Sequence, residues 1–310
     1  MEGWSRLPGL RQTSPQNLRT LAPEANPSFT LEDMPELPEV ETIARGLHTR
    51  VSGDGIESIW LGGKPEPLKS PAHEIAATLE HTRILTVRRV GKHIVFDLAP
   101  NNARSRQAQP AQAQWIVHLG MTGRLQVCDP QSEVLKHTHA ILKLKSGREL
   151  RFVDPRRFGR LSVAHAGGFD AGGIEPLEVD LDRFIDLFRG RKTPIKSALL
   201  NQKLLRGVGN IYADESLFRA GIRPRRRAST ITRDQLTKLM TSVKEVLKEA
   251  IALGGSSISD YVDADGEEGF FQLQHRVYGR EGEPCLVCKT PIKRIVIAGR
   301  SSHYCPKCQK

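Results

Sequence analysis

The middle of the chain carries short runs in which apolar and polar positions alternate or β-branched residues cluster. These runs occupy residues 84–90, 93–98, 115–119, 125–128, 140–144 and 150–153. Their number and spacing between about Gly55 and Ala164 predict a mostly antiparallel β-sandwich or barrel. Residues 100–114 interrupt the pattern with Asn, Ala, Gln, Arg and Pro, so we expect a long surface loop there.

The second half of the chain changes to helical spacing after residues 167–180, a stretch rich in Gly and acids that we interpret as a hinge. Apolar positions recur at helical spacing in residues 184–188 and 195–205. A Gly-Val-Gly break then precedes a further predicted helix at residues 210–220.

A long helix is predicted to begin with the capping box Thr232-x-x-Gln235 and to end at Gly254-Gly255. One of its faces is apolar and consists of Leu236, Leu239, Met240, Val243, Val246, Leu247 and Ala250. Residues 256–273 mix Gly, Ser, Asp and aromatic residues, and we expect a mobile loop or an adaptable binding segment there.

Residues 34–41 read Met-Pro-Glu-Leu-Pro-Glu-Val-Glu, and the apolar spacing that follows predicts an amphipathic helix opened by Pro38. If Met34 is the initiator and is removed, Pro35 has a free secondary amine, which forms an iminium directly with an aldehyde-like carbon. Glu36 then lies within reach for proton transfer. By pattern alone, the octet also fits an ordinary proline-rich entry into a helix.

Residues 1–33 contain irregularly spaced prolines and no apolar periodicity, so we expect a disordered extension that is not part of the active protein. Three arginines against four acids make this segment a poor DNA-binding arm, and it lacks the apolar core of a signal peptide. We expect that Met1 corresponds to an upstream start codon that is not used for translation and that the active protein begins at Pro35.

The net charge of the 310-residue chain is +11 and its isoelectric point is near 9.6, which indicates a polyanionic partner. Nucleic acid is favoured over a membrane, because no stretch approaches the ~18 apolar residues of a membrane-spanning helix. The low aromatic content is compatible with duplex DNA, which proteins hold mainly through its phosphates.

Four of the five cysteines form two tight pairs, Cys285-x2-Cys288 and Cys305-x2-Cys308, while Cys128 is isolated. Four thiolates in this arrangement are typical of one closed, tetrahedral and structural Zn²⁺ site without an open position for water. The same spacing indicates a reducing compartment, and an iron site or a pair of disulfides are the alternatives. The residues between the pairs predict a β-hairpin with residues 298–301 at its tip, where Arg300 can contact a phosphate.

The Gly-rich turn before Asn210 indicates an anion site, because it exposes backbone N–H groups at the positive end of a helix. Lys196 lies on the approach to this turn. A turn required only for helix packing is the alternative. An arginine cluster follows at positions 223, 225, 226 and 227, and it is more typical of a solvated face than of a base reader.

Two Gly-punctuated loops, residues 118–123 and 154–159, carry a large apolar side chain each, Met121 and Phe158. One use for such side chains is to wedge into a stack of bases, and the alternative is that they fill the sandwich core. Arg156, beside Phe158, can hydrogen-bond the base left behind. Lys92, in a tight turn between two predicted strands, is either solvated or placed to hold a phosphate or polarise a substrate.

These motifs together resemble bacterial formamidopyrimidine-DNA glycosylases. The resemblance covers residues 34–310 and rests on residues 35–41, the Gly91-Lys92 turn, the two Gly-punctuated loops, residues 207–215 and the four-cysteine segment. It implies an α+β multidomain fold with damaged double-stranded DNA in the cleft between domains. The domains are a β-sandwich with an N-terminal helix at 34–165, a hinge at 166–180, a helix-two-turn-helix domain at 181–278 and a zinc finger at 279–310.

The resemblance further implies base-excision repair of 8-oxoguanine and formamidopyrimidines through a Schiff base at Pro35, with strand cleavage by successive β- and δ-elimination. Glu36 would assist by proton transfer, and Lys92 would contribute to lesion processing. Met121, Arg156 and Phe158 would fill the gap left by the everted nucleotide. The residues implied to grip phosphates are Lys196, Asn210 and Arg300, with Arg300 also a candidate proton donor in δ-elimination. We expect a monomer in the cytoplasm, associated with the nucleoid.

The chain departs from the family pattern in the leader, in the length of residues 100–114, at Ile174, where Pro is common, and at Asn201, where Asp is common. Two rival functions stay open. One is an endonuclease VIII-like enzyme of the same fold that prefers oxidised pyrimidines. The other is a catalytically silent DNA-binding protein, against which the retention of Pro35, Glu36 and Lys92 argues.

Overall fold

The computed structural model describes residues 34–101, 110–256 and 269–310. The extension expected at 1–33 lies outside these ranges, as do parts of the predicted loop at 100–114 and of the predicted binding segment at 256–273. Within the described ranges, none of the helices combines the length and the apolar character needed to cross a membrane.

The N-terminal region is a sandwich of two antiparallel four-stranded sheets, with strand orders β1-β6-β7-β5 and β2-β3-β4-β8. The strands are β1 (Ile56–Leu61), β2 (Thr82–Val90), β3 (His93–Pro100), β4 (Ala113–His118), β5 (Arg124–Cys128), β6 (Thr138–Leu144), β7 (Glu149–Val153) and β8 (Arg160–His165). The strands β1 and β8 lie outside the predicted runs. Both are half-exposed edge strands, whose sequences carry a weaker apolar pattern than a buried strand such as β7.

Two helices, α1 (Leu37–Val51) and α2 (Ala72–Leu79), pack against this sandwich. The apolar stripe predicted for α1 is buried in the sandwich core together with residues such as Phe96, Trp115 and Phe152. Leu37, in the first turn of α1, is instead part of the core of the helical region. The helix α1 therefore links the two cores.

The helical region consists of α3 (Leu181–Phe188), α4 (Ile195–Leu199), α5 (Asn210–Arg219) and α6 (Arg233–Ala252) around one core. The predicted capping box of α6 is present, since Gln235 N donates to Thr232 Oγ1 at 3.3 Å and Thr232 N to Gln235 Oε1 at 3.2 Å. The helix α4 is shorter than predicted. It ends before Asn201, whose side-chain oxygen accepts the N–H of Lys203 at 3.0 Å and so favours a turn.

The C-terminal region is a two-stranded antiparallel hairpin of β9 (Lys293–Ile297) and β10 (Arg300–Tyr304). Ala298 and Gly299 form its tip with φ of 49° and 76°, the backbone of a tight two-residue turn. Arg300 thus begins β10 and pairs with Ile297, whereas the sequence predicted it at the tip. The predicted combination of sandwich, helical region and hairpin is confirmed, and the exact domain boundaries stay predictions.

Candidate functional site

Glu36 immediately precedes α1, and its carboxylate lies at the N-terminus of α5, where Oε1 accepts the N–H of Ile211 at 3.1 Å. Gly209 makes this approach possible, because an added Cβ there would lie 2.1 Å from Glu36 Cδ. Burial raises the pKa of Glu36 to about 7, against the lowering effects of Lys92 and of the α5 amides. The carboxyl group is therefore able to exchange a proton near neutral pH.

Glu39, one turn further along α1, organises the backbone around Glu36. Its carboxylate accepts the N–H of Glu36 at 2.9 Å and the N–H of Ser256 at 2.8 Å, as well as the hydroxyl of Tyr212. Burial raises the pKa of Glu39, and these hydrogen bonds oppose that rise. This role is not evident from the sequence, because Glu39 and Ser256 are far apart in the chain and no local pattern joins them.

Lys92 lies in the two-residue turn between β2 and β3, where Gly91 has a φ of 62°. Burial lowers the pKa of Lys92, and so does the positive charge of Arg300, while Glu36 and Glu39 raise it. Among the described residues, the ammonium group has no ion-pair partner within 4.0 Å. It is a half-buried cation that lies near the two carboxyl groups without contacting them.

One pocket of about 190 Å³ brings these groups together, and its walls include Met34, Glu36, Lys92, Asn210 and Arg300. Pro35 is joined in the chain to two of the lining residues, Met34 and Glu36. The pocket thus combines the carboxyl group next to the predicted nucleophile with three cationic side chains, those of Lys92, Arg206 and Arg300.

Two histidines, His93 and His118, form a further wall of this pocket. Their rings are 4.9 Å apart, and Phe169 packs against His93 at 5.0 Å. Burial lowers the pKa of His118 to about 3, with added repulsion from His93 and Lys92. This side chain is therefore neutral at physiological pH and serves as a polar but uncharged surface, a role that the sequence analysis did not assign.

Met121 and Phe158 line a neighbouring groove of about 500 Å³. Phe158 is 50% exposed, whereas Met121 is 8% exposed, so only Phe158 projects into solvent. The guanidinium carbon of Arg156 lies 4.9 Å from the centre of the Phe158 ring, a cation–π contact. Of the three residues predicted to act together, Arg156 and Phe158 thus form a contacting pair at the surface, whereas Met121 is mostly buried.

Buried Asp154 joins the two loops that carry these residues. Its Oδ1 accepts the hydroxyl of Thr122 at 2.5 Å, and its Oδ2 accepts the N–H of Gly159 at 2.7 Å. Both loops are therefore fixed relative to each other before any ligand binds. The motif in the sequence contains Asp154, but only the structure reveals this function.

Lys196 does not face the pocket. Its side chain has no exposed surface, and Nζ lies 2.7 Å from Asp214 Oδ1 and donates to Ser301 O at 2.5 Å. Asn210 is also buried, and its Nδ2 donates to Ser301 Oγ at 3.3 Å. Of the three residues expected at phosphates, Arg300 and Asn210 line the pocket, whereas a phosphate would reach Lys196 only if the ion pair with Asp214 opened.

An ion-pair network that the sequence did not predict lies beside the Lys92 turn. The guanidinium of Arg89 binds Glu41 at 2.8 Å and Glu175 at 2.9 Å, and it also donates to Gly91 O at 3.3 Å. Arg206 contacts Glu175 from the helical region at 3.4 Å. The network therefore fixes the β2–β3 turn against the segment that leads into the helical region.

The four paired cysteines converge as predicted, with all ligand atoms within 4.8 Å of one another. The Sγ atoms of Cys288 and Cys305 are 3.4 Å apart, and those of Cys285 and Cys308 are 3.9 Å apart. A tetrahedral zinc ion with Zn–S bonds of ~2.3 Å requires sulfur atoms ~3.8 Å apart, so the cluster fits one structural Zn²⁺.

Three family models match successive parts of the chain. They are the formamidopyrimidine-DNA glycosylase N-terminal domain at residues 34–161, the H2TH domain of the same enzymes at 173–262, and a zinc finger found in FPG and IleRS at 282–310. The formamidopyrimidine-DNA glycosylase of Solibacter usitatus is 46% identical over 286 residues, which cover 89% of this chain and 100% of that protein.

Solved structures give the same result. The MutM (Fpg) protein of Thermus thermophilus superimposes with a TM-score of 0.77 at 41% identity, covering 89% of this chain and 98% of that one. The Lactococcus lactis Fpg in complex with DNA containing an abasic site gives a TM-score of 0.80 at 32% identity, covering 89% and 99%. The chain therefore belongs to the formamidopyrimidine-DNA glycosylase family.

Proposed function

We propose that the protein is a DNA glycosylase with abasic-site lyase activity that removes oxidised purines from damaged duplex DNA. The observation that carries the proposal is the convergence of Glu36, Lys92 and Arg300 in one pocket next to Pro35. The complex of the Lactococcus lactis relative with abasic-site DNA supports the class of ligand. The name of the Solibacter relative supports formamidopyrimidines as substrates.

The nucleophile in this proposal is the amine of Pro35, which must be the first residue of the active form. An internal proline nitrogen is an amide nitrogen without a proton, and its lone pair is delocalised into the preceding carbonyl group. Initiation at Met34 followed by removal of the methionine would give the free amine. The start of the N-terminal family model at residue 34 supports this route.

Attack of the Pro35 amine on C1′ of the damaged nucleoside forms a C–N bond and breaks the bond between C1′ and the base. The base leaves with the proton that the amine loses. The bond between C1′ and O4′ then breaks, O4′ takes a proton, and an iminium remains at C1′. Glu36 is suited to proton transfer in these steps, because its pKa of about 7 leaves both protonation states populated.

The iminium acidifies C2′, and loss of a C2′ proton expels the 3′ phosphate by β-elimination. Loss of a further proton expels the 5′ phosphate by δ-elimination. The Lys92 ammonium is suited to hold the phosphates or the leaving base, because no described carboxylate neutralises it by direct contact. Arg300, in the same pocket, is the candidate proton donor for the second elimination.

The base must leave the duplex before this chemistry is possible, which costs a few kcal/mol of unstacking. We propose that Phe158 and Arg156 fill the vacated space and that Met121 supports them from below. The contact between Arg156 and Phe158 already holds both side chains in one orientation, so less entropy is lost when they enter the stack.

Borohydride trapping tests the proposal, because it reduces the iminium to a stable amine and joins protein to DNA. The substrate is a duplex with 8-oxoguanine opposite cytosine, and a matched duplex with an oxidised pyrimidine is the comparison. We expect a covalent adduct at Pro35 that forms faster on the purine lesion. A faster reaction on the pyrimidine would favour the endonuclease VIII-like alternative, and binding without any adduct would leave a silent DNA-binding protein.

A further inference from the structure

We infer that Lys196 and Asp214 form a positioning pair that places Arg300 in the pocket, and that Lys196 does not itself hold a phosphate. The inference rests on the proposed function, because it gives Arg300 its role in DNA binding and in the second elimination. It concerns a buried ion pair between α4 and α5 and the strand β10 that this pair holds.

The pair is enclosed on all sides. The side chains of Lys196 and Asp214 have no exposed surface, and their charged atoms are 2.7 Å apart. Lys196 Nζ also donates to the carbonyl oxygen of Ser301 at 2.5 Å. The charge of the lysine is thus satisfied by partners inside the protein.

The opposite partner, Asp214, holds the next two residues of the same strand. Its Oδ1 accepts the hydroxyl of Ser302 at 3.1 Å, and its Oδ2 accepts the N–H of His303 at 2.7 Å. Asn210 adds a bond to Ser301 Oγ at 3.3 Å. Residues 301–303, which directly follow Arg300, are therefore gripped by three side chains from the helical region.

A buried ion pair is a weak source of stability, because removing two charges from water costs about as much as their attraction returns. Its better-attested use is to fix the register of the elements that it joins. An isolated two-stranded hairpin is only marginally stable in water. The hairpin β9–β10 therefore depends on contacts such as this ion pair for a defined position. The pair contacts Ser301, which directly follows Arg300.

The position of Arg300 matters because its side chain shares a pocket with Glu36 and Lys92. Its charge is close enough to lower the pKa of Lys92. A displacement of β10 would move the guanidinium relative to Lys92 and to any phosphate bound between them. The pair formed by Lys196 and Asp214 thus sets the geometry of the second elimination without touching the substrate.

A double-mutant cycle between Lys196→Met and Arg300→Ala tests the inference. The readouts are the ratio of δ- to β-elimination products from an abasic-site duplex and the salt dependence of binding to a duplex with a tetrahydrofuran abasic analogue. We expect Lys196→Met to lower the ratio about tenfold, a coupling of the size found within one hydrogen-bond network. In the Arg300→Ala background, the same substitution should change neither readout.

Three further variants keep the result interpretable. Asp214→Asn should lower the product ratio as Lys196→Met does, although it removes no positive charge. Ser302→Ala, which leaves the ion pair intact, should shift the ratio in the same direction by a smaller factor. Lys238→Met, which removes an exposed lysine of α6, should leave the ratio unchanged. Zinc content and melting temperature are measured for each.

Lys196 is a phosphate ligand instead if Lys196→Met weakens binding equally in both backgrounds and lowers the salt slope by about one. The inference also fails if Asp214→Asn and Ser302→Ala retain zinc and the wild-type product ratio. Failure of the proposed function is a separate result, because the wild-type protein would then form no borohydride-stable adduct.

Discussion

Two combinations of lysine and carboxylate in this protein differ in whether the charged groups contact each other. Lys196 and Asp214 are in direct contact, and residues of β10 complete their hydrogen bonds. Glu36 and Lys92 face each other across the pocket, and burial shifts the pKa of each towards its neutral form. A pair in direct contact holds structure, whereas two charged groups that do not contact each other are available to a substrate.

The largest expected effect comes from a change at the start of the active protein. If any residue remains attached to Pro35, the nitrogen is an amide, and we expect no borohydride-stable adduct even though Glu36 and Lys92 are in place. The measurement is trapping on 8-oxoguanine duplex together with intact-mass analysis of the N-terminus. Pro35→Gly, which retains an amine, should still trap.

Normal trapping by a chain that retains residues 1–34 would contradict this prediction. The nucleophile would then be a lysine, and Lys92 would be the first candidate, because its amine lines the pocket and burial lowers its pKa.

The next largest effect is expected from loss of the zinc ion held by the four cysteines. Cys305→Ser removes one of four thiolates and with it a zinc site that is worth ~10–16 kcal/mol in small zinc-binding peptides. We expect the variant to lose zinc and duplex affinity together, because two of the zinc ligands directly follow β10 and fix its end. Metal analysis and binding titrations check this result, and Cys128→Ser is the matched control outside the cluster.

Active wild-type protein that contains no zinc would remove the idea of a structural metal. Loss of zinc with unchanged DNA affinity would separate the finger from DNA binding.

Replacing Glu36 or Asp214 by the neutral amide should change the stability of the protein in opposite directions. The folded state raises the pKa of Glu36 from 4.5 to about 7, so it binds more protons than the unfolded state between these values. Stability is therefore lost as the pH rises through this window, by up to ~3 kcal/mol. Glu36→Gln should be more stable than the wild type at pH 8 and equally stable at pH 4, while its excision rate falls.

Asp214→Asn should instead be destabilised, by ~3–5 kcal/mol, because it leaves the Lys196 ammonium buried without a counter-charge. Denaturant unfolding of both variants at pH 4 and pH 8 measures the difference. Equal destabilisation by the two substitutions at pH 8 would show that the protein stabilises the Glu36 carboxylate as strongly as that of Asp214, and it would contradict this prediction.

The smallest expected effect concerns the projecting pair of Arg156 and Phe158. A bidentate contact between a side chain and a base is worth ~1–3 kcal/mol of discrimination. We expect Arg156→Ala to flatten the preference for cytosine opposite the lesion more than it weakens binding to undamaged duplex. Excision rates with each of the four opposite bases check this, and an unchanged preference would count against the assignment.

The sequence predicted those features that local spacing encodes. The zinc cluster follows from two short cysteine spacings, and the N-terminus of α6 follows from Thr232 and Gln235. The burial of Lys196 was not predictable in this way. Its partner Ser301 is 105 residues away, and a lysine before a Gly-rich turn carries the same pattern whether it points outwards or inwards.

The same limit explains why Arg89 and Asp154 were missed as organising residues. Arg89 meets Glu41 and Glu175 across separations of 48 and 86 residues, so only the fold brings them together. Asp154 lies within one of the Gly-punctuated loops, and its hydrogen bond to Thr122, 32 residues away, joins it to the other loop. Sequence spacing identifies residues that are able to take part in chemistry. Long-range contacts in the fold decide which of these residues are fixed in structural interactions and which face a substrate.

The first turn of α1 has a mechanical consequence. Leu37 packs in the helical core and donates its N–H to Gly207 O at 3.0 Å, while Val40 packs in the sandwich core. The two cores are therefore joined within one turn of α1, directly beside Pro35 and Glu36. If the two regions move relative to each other when the proposed DNA substrate binds, we expect Pro35 and Glu36 to be displaced less than Lys92 and Arg300, because they lie at this joint.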